Sequence, residues 1–463
     1  METKSGELKR TLGFFGVFAL GLSLMVPTTV FLTFGTASIN TNGHVPSVFI
    51  LATMGILFTV FSYCHMIKKF PRAGSAYTYV QQIFNPNLGF LVGWAALFDY
   101  LFFPVVYVLS ITLYAEAFFP GVPAWIWVVG SMLFTTLANL FNVKVAVSFS
   151  TLLVLLQLII SAIFVVLLIK FQFNVGSAHI FSLTPFISKN LTIPVIFSGA
   201  VVLFYSFIGI DEISMLAEET HKPTKTLPRA MVGVVVFIGV MYTIVSYFMQ
   251  VVFPNVGIFS NPDVEIAQKI GGLLFVSVFI GIVIISVLVG GISAQMGVTR
   301  LLYAMGRDNV LPTKIFGYIS PKSGIPVYNI LITGVLGLIS IFLTYEQAVS
   351  IISFGAYVAF TFVNVCVIKH YIIQEKMRSI KAFIMYLIFP LIGISFIVLM
   401  WFNLNKMALI TGVTWSFIGC IFLTFITKGF KKPAPTLVFD QAHQEQTDLN
   451  YNNSIQEENV TVN

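Results

Sequence analysis

The chain is 463 residues long, 57% apolar and only 9% charged, with a mean hydropathy of +0.93. That balance excludes a soluble domain and describes a polytopic membrane protein. A net charge of +7 and a pI near 9.1 would otherwise suggest a nucleic-acid partner, but that reading needs a basic groove on a soluble face, and there is none; the lipid bilayer is the expected surrounding.

Runs of about 20 apolar residues, enough to cross a hydrocarbon core of roughly 30 Å, predict twelve spans. They lie at about 13–38, 46–67, 89–117, 123–141, 145–169, 194–217, 229–253, 272–298, 328–345, 347–371, 382–402 and 408–427. Cytoplasmic loops carry an excess of Lys and Arg. With both termini cytoplasmic, only Lys170, Lys189, Lys269 and Lys406 of the 25 Lys and Arg fall outside. The net charge thus reflects orientation, and the plasma membrane is the expected location. The first apolar run is too long for a signal peptide and no small-residue cleavage site closes it, so residues 1–12 are read as a cytoplasmic N-terminus and 13–428 as the membrane domain. Residues 429–463, rich in Asn, Gln and Glu, read as a disordered cytoplasmic tail.

The first span contains Gly21-Leu-Ser-Leu-Met-Val-Pro-Thr-Thr29. Pro lacks an amide hydrogen and Gly tolerates unusual backbone angles, so this helix is expected to unwind partway across the membrane. The third span carries Asp99, one helical turn before Phe103 and Pro104. Either a structural pairing or a proton-carrying role fits it, whereas Glu116, near the outer end, is placed to snorkel. The sixth span reads Tyr205-Ser-Phe-Ile-Gly-Ile-Asp-Glu-Ile-Ser-Met-Leu216 and holds two adjacent carboxylates. An ionised group in a bilayer centre costs about 2.5–3.5 kcal/mol on insertion scales, so such acids face a wet cavity, a counter-ion or a substrate. Unwinding is expected over Phe207–Ile210, with Asp211 capping the half-helix that follows and Glu212 free for substrate or proton work. Glu218 and Glu219, followed by His221, Lys222, Lys225 and Arg229, read as loop or inner-gate ion pairs.

Unwound backbone at membrane depth is permitted only where protein or a water-filled cavity satisfies it. Spans one and six hold equivalent positions in two groups of five, about 13–169 and 194–371, with two extra helices at 382–427. Odd-numbered groups insert in opposite senses, as inverted repeats require, and their discontinuous helices meet around a midplane site. Tyr100, Tyr107, Phe207 and Phe354 are placed to offer an organic cation aromatic faces. Cys64, Cys366 and Cys420 lack metal-ligand spacing and read as packing residues. The six histidines are dispersed, which argues against an enzyme. No metal and no cofactor is expected.

Several of these residues carry a resemblance. Gly21 to Gly35, Gly43-His-Val-Pro46, Phe70-Pro-Arg-Ala-Gly-Ser-Ala-Tyr-Thr-Tyr79, Val92-Gly-Trp94, Asp99-Tyr-Leu101, Ser206 to Asp211, Ser214 to Thr220 and Leu301-Leu-Tyr-Ala-Met-Gly-Arg-Asp-Asn-Val310 resemble the putrescine importers of the amino acid, polyamine and organocation superfamily. The resemblance implies an all-α fold of twelve membrane helices, a leucine-transporter-like five-plus-five inverted repeat with helices 1 and 6 broken. It also implies inward movement of a small amine or amino acid, usually with protons. By the same matching, Ser23, Met25, Val26, Pro27 and Thr28, with Ser206, Phe207, Gly209 and Asp211, become candidate substrate contacts, joined by Tyr100, Tyr107, Glu212 and Phe354. Glu212 and Asp99 are the candidate proton carriers.

The chain departs from the family at Leu32, where putrescine importers carry an acid, and at Glu212, where the family residue is small. No lysine lies between Val145 and Leu168, so the span-five proton site of some superfamily members has no counterpart. The alternatives are an amino acid permease or exchanger, or an amine sensor without transport; no segment supplies the repeated ring of carbonyls or charges that a channel needs.

Overall fold

Inside a bilayer every backbone N–H and C=O must find its partner within the protein, which leaves helix as the solution for an open chain. A computed structural model of the chain describes residues 10, 12–72, 74–141, 145–174, 181–188, 191–259, 261–307, 310–320 and 325–434. Among these residues the one β pairing outside helices is an isolated parallel bridge between Leu12 and Thr220.

The first group of crossings comprises α1 (Phe14–Met25), α2 (Thr29–Asn40), α3 (Val45–Lys69), the short α4 (Ser75–Ile83), α5 (Pro86–Phe118), α6 (Ala124–Leu140) and α7 (Val145–Asn174). The second comprises α8 (Ile193–Phe204), α9 (Glu212–Met215), α10 (Pro223–Val252), α11 (Pro262–Arg307), the one-turn α12 (Thr313–Phe316), α13 (Val327–Gly337) and α14 (Tyr345–Val367). The one-turn α15 (Ile380–Phe383), α16 (Phe389–Phe402) and α17 (Lys406–Ile426) follow.

Among the described residues eight helices are long and apolar enough to cross a membrane, and nine if α1 and α2, bent by 44° at their junction, form one span. The shorter apolar helices Ala124–Leu140 and Val327–Phe342 and the interrupted segment 193–218 occupy the other three expected positions. The ends follow local chemistry. Asn85 accepts the Leu88 amide at 2.8 Å to start α5 ahead of Pro86, and Thr344 with Gln347 forms a capping box on α14. Gly272, at φ 72°, divides α11 into a leading helix and the crossing helix proper.

The packing exchanges partners between the two groups. The second crossing, α3, lies against the seventh, α10; the third, α5, lies against the eighth, α11, and the tenth, α14. This reciprocal pairing is what a five-plus-five inverted repeat produces, and it surrounds the two broken spans with long helices. At the far end of the described residues Ala434 is buried and donates its amide to Asn87 Oδ1 at 3.0 Å, while 429–433 before it are exposed; residues 435–463 lie outside the described residues.

Candidate functional site

The first break is narrow. Val26 adopts φ 45° and ψ 91°, a left-handed conformation that is costly for a β-branched side chain. The carbonyls it frees are taken up by another helix: the Tyr242 hydroxyl of α10 donates to Met25 O at 3.0 Å and to Val26 O at 3.2 Å. The Thr28 amide and hydroxyl both donate to Gln157 Oε1 of α7, at 3.4 and 3.2 Å. The amides of Thr29 and Phe31 are taken by Val26 O and Thr28 O.

The sixth span breaks differently. After α8 comes a 3-10 turn at Tyr205–Phe207, then extended Ile208, then Gly209 at φ 99°. A side chain at 209 would meet Leu24 O, near the end of α1, at 3.4 Å, so the two breaks lie close together, and the positive φ at 209 is one that glycine adopts without strain. The resumed helix is the single turn of α9 followed by a 3-10 turn at Leu216–Glu218.

Between the breaks lies a cavity of about 530 Å³. Met25, Val26, Thr28, Tyr107 and Ser206 of the expected contacts line it, together with Leu32, Phe103, Tyr114, Tyr205 and Tyr345. No Lys or Arg lines it, and the buried Ser206 Oγ has no partner. Leu32, Tyr114, Tyr205 and Tyr345 also line a vestibule of about 1980 Å³ that holds Asp263 and Glu346. Across this shared wall the Tyr345 hydroxyl donates to the Tyr205 hydroxyl at 3.0 Å.

The other expected residues are placed elsewhere. Asp211 and Tyr100 line a second cavity, of about 620 Å³, with Ser75, Trp94 and Met215. Asp211 stands at the N-cap of α9, but its side chain makes no capping bond; this corrects the expected cap. Its carboxylate instead accepts from the Tyr100 hydroxyl at 3.2 Å, a donor supplied by a helix more than a hundred residues away in sequence. Glu212 is partly buried and lines neither cavity, although its charge reaches Tyr107. Asp99 is buried where Gly355 lets α14 approach α5: a side chain at 355 would meet Asp99 Cβ at 2.8 Å. Phe207 is sealed against Tyr242, and Phe354 packs edge-on against Trp401, ring centroids 5.1 Å apart. Ser23, Pro27 and Gly209 line neither cavity. Of the residues not singled out, Tyr205 sat in the quoted motif of span six, whereas Tyr114, Tyr242, Tyr345 and Gln157 carried no local signal.

Comparison with known proteins extends this geometry. The chain is 38% identical over 439 residues to the low-affinity putrescine importer PlaP of Escherichia coli, covering 94% of this chain and 97% of that one. It is 25% identical to the branched-chain amino acid permease BcaP of Bacillus subtilis over 90% and 93% of the two chains. A solved mutant structure of the Eremococcus coleocola manganese transporter shares the fold, with a TM-score of 0.51 at 11% identity over 89% and 93% of the chains. The amino acid permease model matches residues 16–430. A membrane chain with two broken crossings around a cavity and a family match over nearly its whole length is a transporter, and this one belongs to the amino acid permease family.

Proposed function

We propose that this protein imports putrescine or a closely related polyamine across the plasma membrane, with both termini cytoplasmic and with protons as the coupling ion. The observation that carries the substrate is the 38% identity to a putrescine importer over 94% of the chain. The chemistry of the cavity agrees. Five aromatic side chains, Phe103, Tyr107, Tyr114, Tyr205 and Tyr345, line it. An ammonium over an aromatic face gains about 0.5–2 kcal/mol, the larger figure when desolvated. An α-carboxylate would need helix N-terminal amides, but those of Thr28, Thr29 and Phe31 at the start of α2 are already engaged. The site therefore favours a diamine over an amino acid. Orientation follows from charge: Lys68, Lys69, Lys222, Lys225 and Arg229 cluster at one end, and the vestibule with Asp263 and Glu346 opens at the other, which makes it the outer mouth.

Uptake of radiolabelled putrescine by the full chain in proteoliposomes tests this reading. Excess spermidine or unlabelled putrescine should compete, and leucine or arginine should not. Strong competition by leucine, with putrescine ineffective, would replace the diamine with an amino acid. The Leu32→Asp variant sharpens the assignment: a carboxylate added to the cavity wall should lower the KM for putrescine about five- to tenfold, the effect of roughly 1 kcal/mol or slightly more. An unaltered KM would place the amine away from Leu32.

A further inference from the structure

Beneath the substrate cavity the molecule holds a group of carboxylates that the binding of an amine does not use. Asp99 is 3% exposed and Asp211 2%. Asp99 Oδ1 and Asp211 Oδ1 are both sealed from solvent and have no hydrogen-bond partner. No Lys, Arg or His among the described residues pairs with either; the charged groups within electrostatic reach of Asp99 are Asp211 and Glu212. The groups facing the pair come from every element packed there. They are Tyr63 of α3, Ser75 beside Asp211 in the second cavity, Tyr100 of α5 and Glu212 of α9. The tenth crossing contributes Gly355 beside Asp99 and Ala359 in the second cavity, neither of them titratable. Tyr63 Oη and Ser75 Oγ are likewise sealed from solvent.

Two neighbouring carboxylates in a dry interior cannot both stay ionised without a cation, because each carries a desolvation penalty of several kcal/mol and each repels the other. What completes such a cluster is a proton, which needs no void and turns an orphaned acceptor into a donor. A metal ion would need several oxygens converging on it at once, whereas a proton needs a single acceptor. The cluster is also mechanically tied to the amine site. Asp211 follows Gly209 by two residues, and a side chain at 209 would meet Leu24 O, just before the first break, at 3.4 Å. A rearrangement of either break on loading the cavity therefore shifts Asp211 relative to Tyr100 and Asp99. Asp211 and Tyr100 line the second cavity, the route by which a proton would leave toward the side opposite the vestibule.

Resting on the putrescine reading above, we propose that Asp99, Asp211 and the Tyr100 hydroxyl form the site that carries the coupled proton, with the proton held on one carboxylate at a time and Tyr100 ordering Asp211 as acceptor. Each cycle takes up one proton on the carboxylate pair from the outer side and releases it to the inner side, with no bond made or broken in the amine.

The full chain in proteoliposomes tests this with two readouts. Exchange of labelled for unlabelled putrescine at equal pH needs the amine site alone. Accumulation driven by an imposed gradient of about 1 pH unit needs the proton site, and one coupled proton supports about a tenfold concentration ratio. The wild-type protein should show both, and Asp99→Asn should exchange yet fail to accumulate beyond equality. Asp99→Glu should restore part of the accumulation. Tyr100→Phe should move the pH profile of gradient-driven accumulation toward alkaline pH while exchange is retained, because ionised Asp211 loses its donor; an unmoved profile would remove Tyr100 from the site, and this arm decides the matter if Asp99→Asn proves unable to fold. Retained accumulation in Asp99→Asn, or accumulation driven by a Na⁺ gradient instead of the pH gradient, would overturn the proposal. Absence of putrescine exchange in the wild-type protein would overturn the substrate reading, and the proton assignment with it.

Discussion

The two broken spans solve the same problem in opposite ways. In the first, only Val26, Pro27 and Thr28 separate two twelve-residue helices, and the freed polar groups are taken by Tyr242 and Gln157 from neighbouring crossings. In the sixth, the break runs from a 3-10 turn through extended backbone to Gly209, the second half is one turn of α-helix, and Ser206 Oγ and Asp211 Oδ1 remain unpartnered. A break whose valences are filled by fixed side chains is scaffold. A break that keeps buried valences open is where a substrate and a proton have something to bind, since each unfilled group holds back about 1–3 kcal/mol.

Exchanging the backbone demands of the two breaks should disturb this contrast most. Gly209→Val places a β-branched residue at φ 99° against Leu24 O and should reduce putrescine uptake by at least about tenfold, from roughly 1–3 kcal/mol of strain, in a transport assay normalised to membrane-inserted protein. The reverse change, Val26→Gly, relieves a positive φ and should leave stability within about 1 kcal/mol of the parent. If both variants behaved alike, the two breaks would not differ in kind. A second test removes the bracing of the first break: Tyr242→Phe removes the hydroxyl donor from Met25 O and Val26 O, which keep only the Thr29 hydroxyl and amide, and should lower the unfolding free energy in detergent by about 0.5–1.5 kcal/mol. A smaller loss would mean that water replaces the hydroxyl.

The mildest effect belongs outside both breaks. Lys69 Nζ lies 2.8 Å from Glu375 Oε1, and His370 Nε2 lies 3.1 Å from the same oxygen, joining the ends of α3 and α14. The hydrogen bond from Lys69 holds the Glu375 carboxyl below its ordinary range. Its contribution is therefore present above the usual carboxylate pKa and is lost as pH falls through the lowered value. The pair is largely solvated, so Glu375→Gln should cost no more than about 0.2–1 kcal/mol and should flatten the acid limb of a thermal-stability profile. An unchanged acid limb would assign that pH dependence to other groups.

Much of the backbone plan was legible in advance because its causes are local. Pro27 and Gly209 interrupt helices by their own covalent structure, and the sixth span unwinds over the stretch that Gly209 predicts. Met25, Val26, Thr28, Tyr107 and Ser206 line the cavity between the breaks. Other assignments could not be read this way. Phe354 turns to Trp401 of α16, whereas Tyr345, nine residues before it, is the side chain from that helix that reaches the cavity. In a chain with 15% aromatics, nothing in the local pattern separates one from the other. Asp211 has the position of a cap, yet a tyrosine from α5 outcompetes the amides of its own helix.

Apolar run length, the placement of Gly and Pro and the segregation of Lys and Arg suffice to define a many-spanning helical protein interrupted at two points, because hydrophobic transfer and backbone hydrogen bonding act residue by residue along a chain. Which polar groups end up satisfied is a different matter. Tyr242 closes one break, Tyr100 meets Asp211, and Asp99 and Asp211 are each left with an unpartnered oxygen only once helices distant in the chain have packed. In a medium where an unpaired charge is so costly, that long-range matching of donors, acceptors and carboxylates separates a braced kink from a working site.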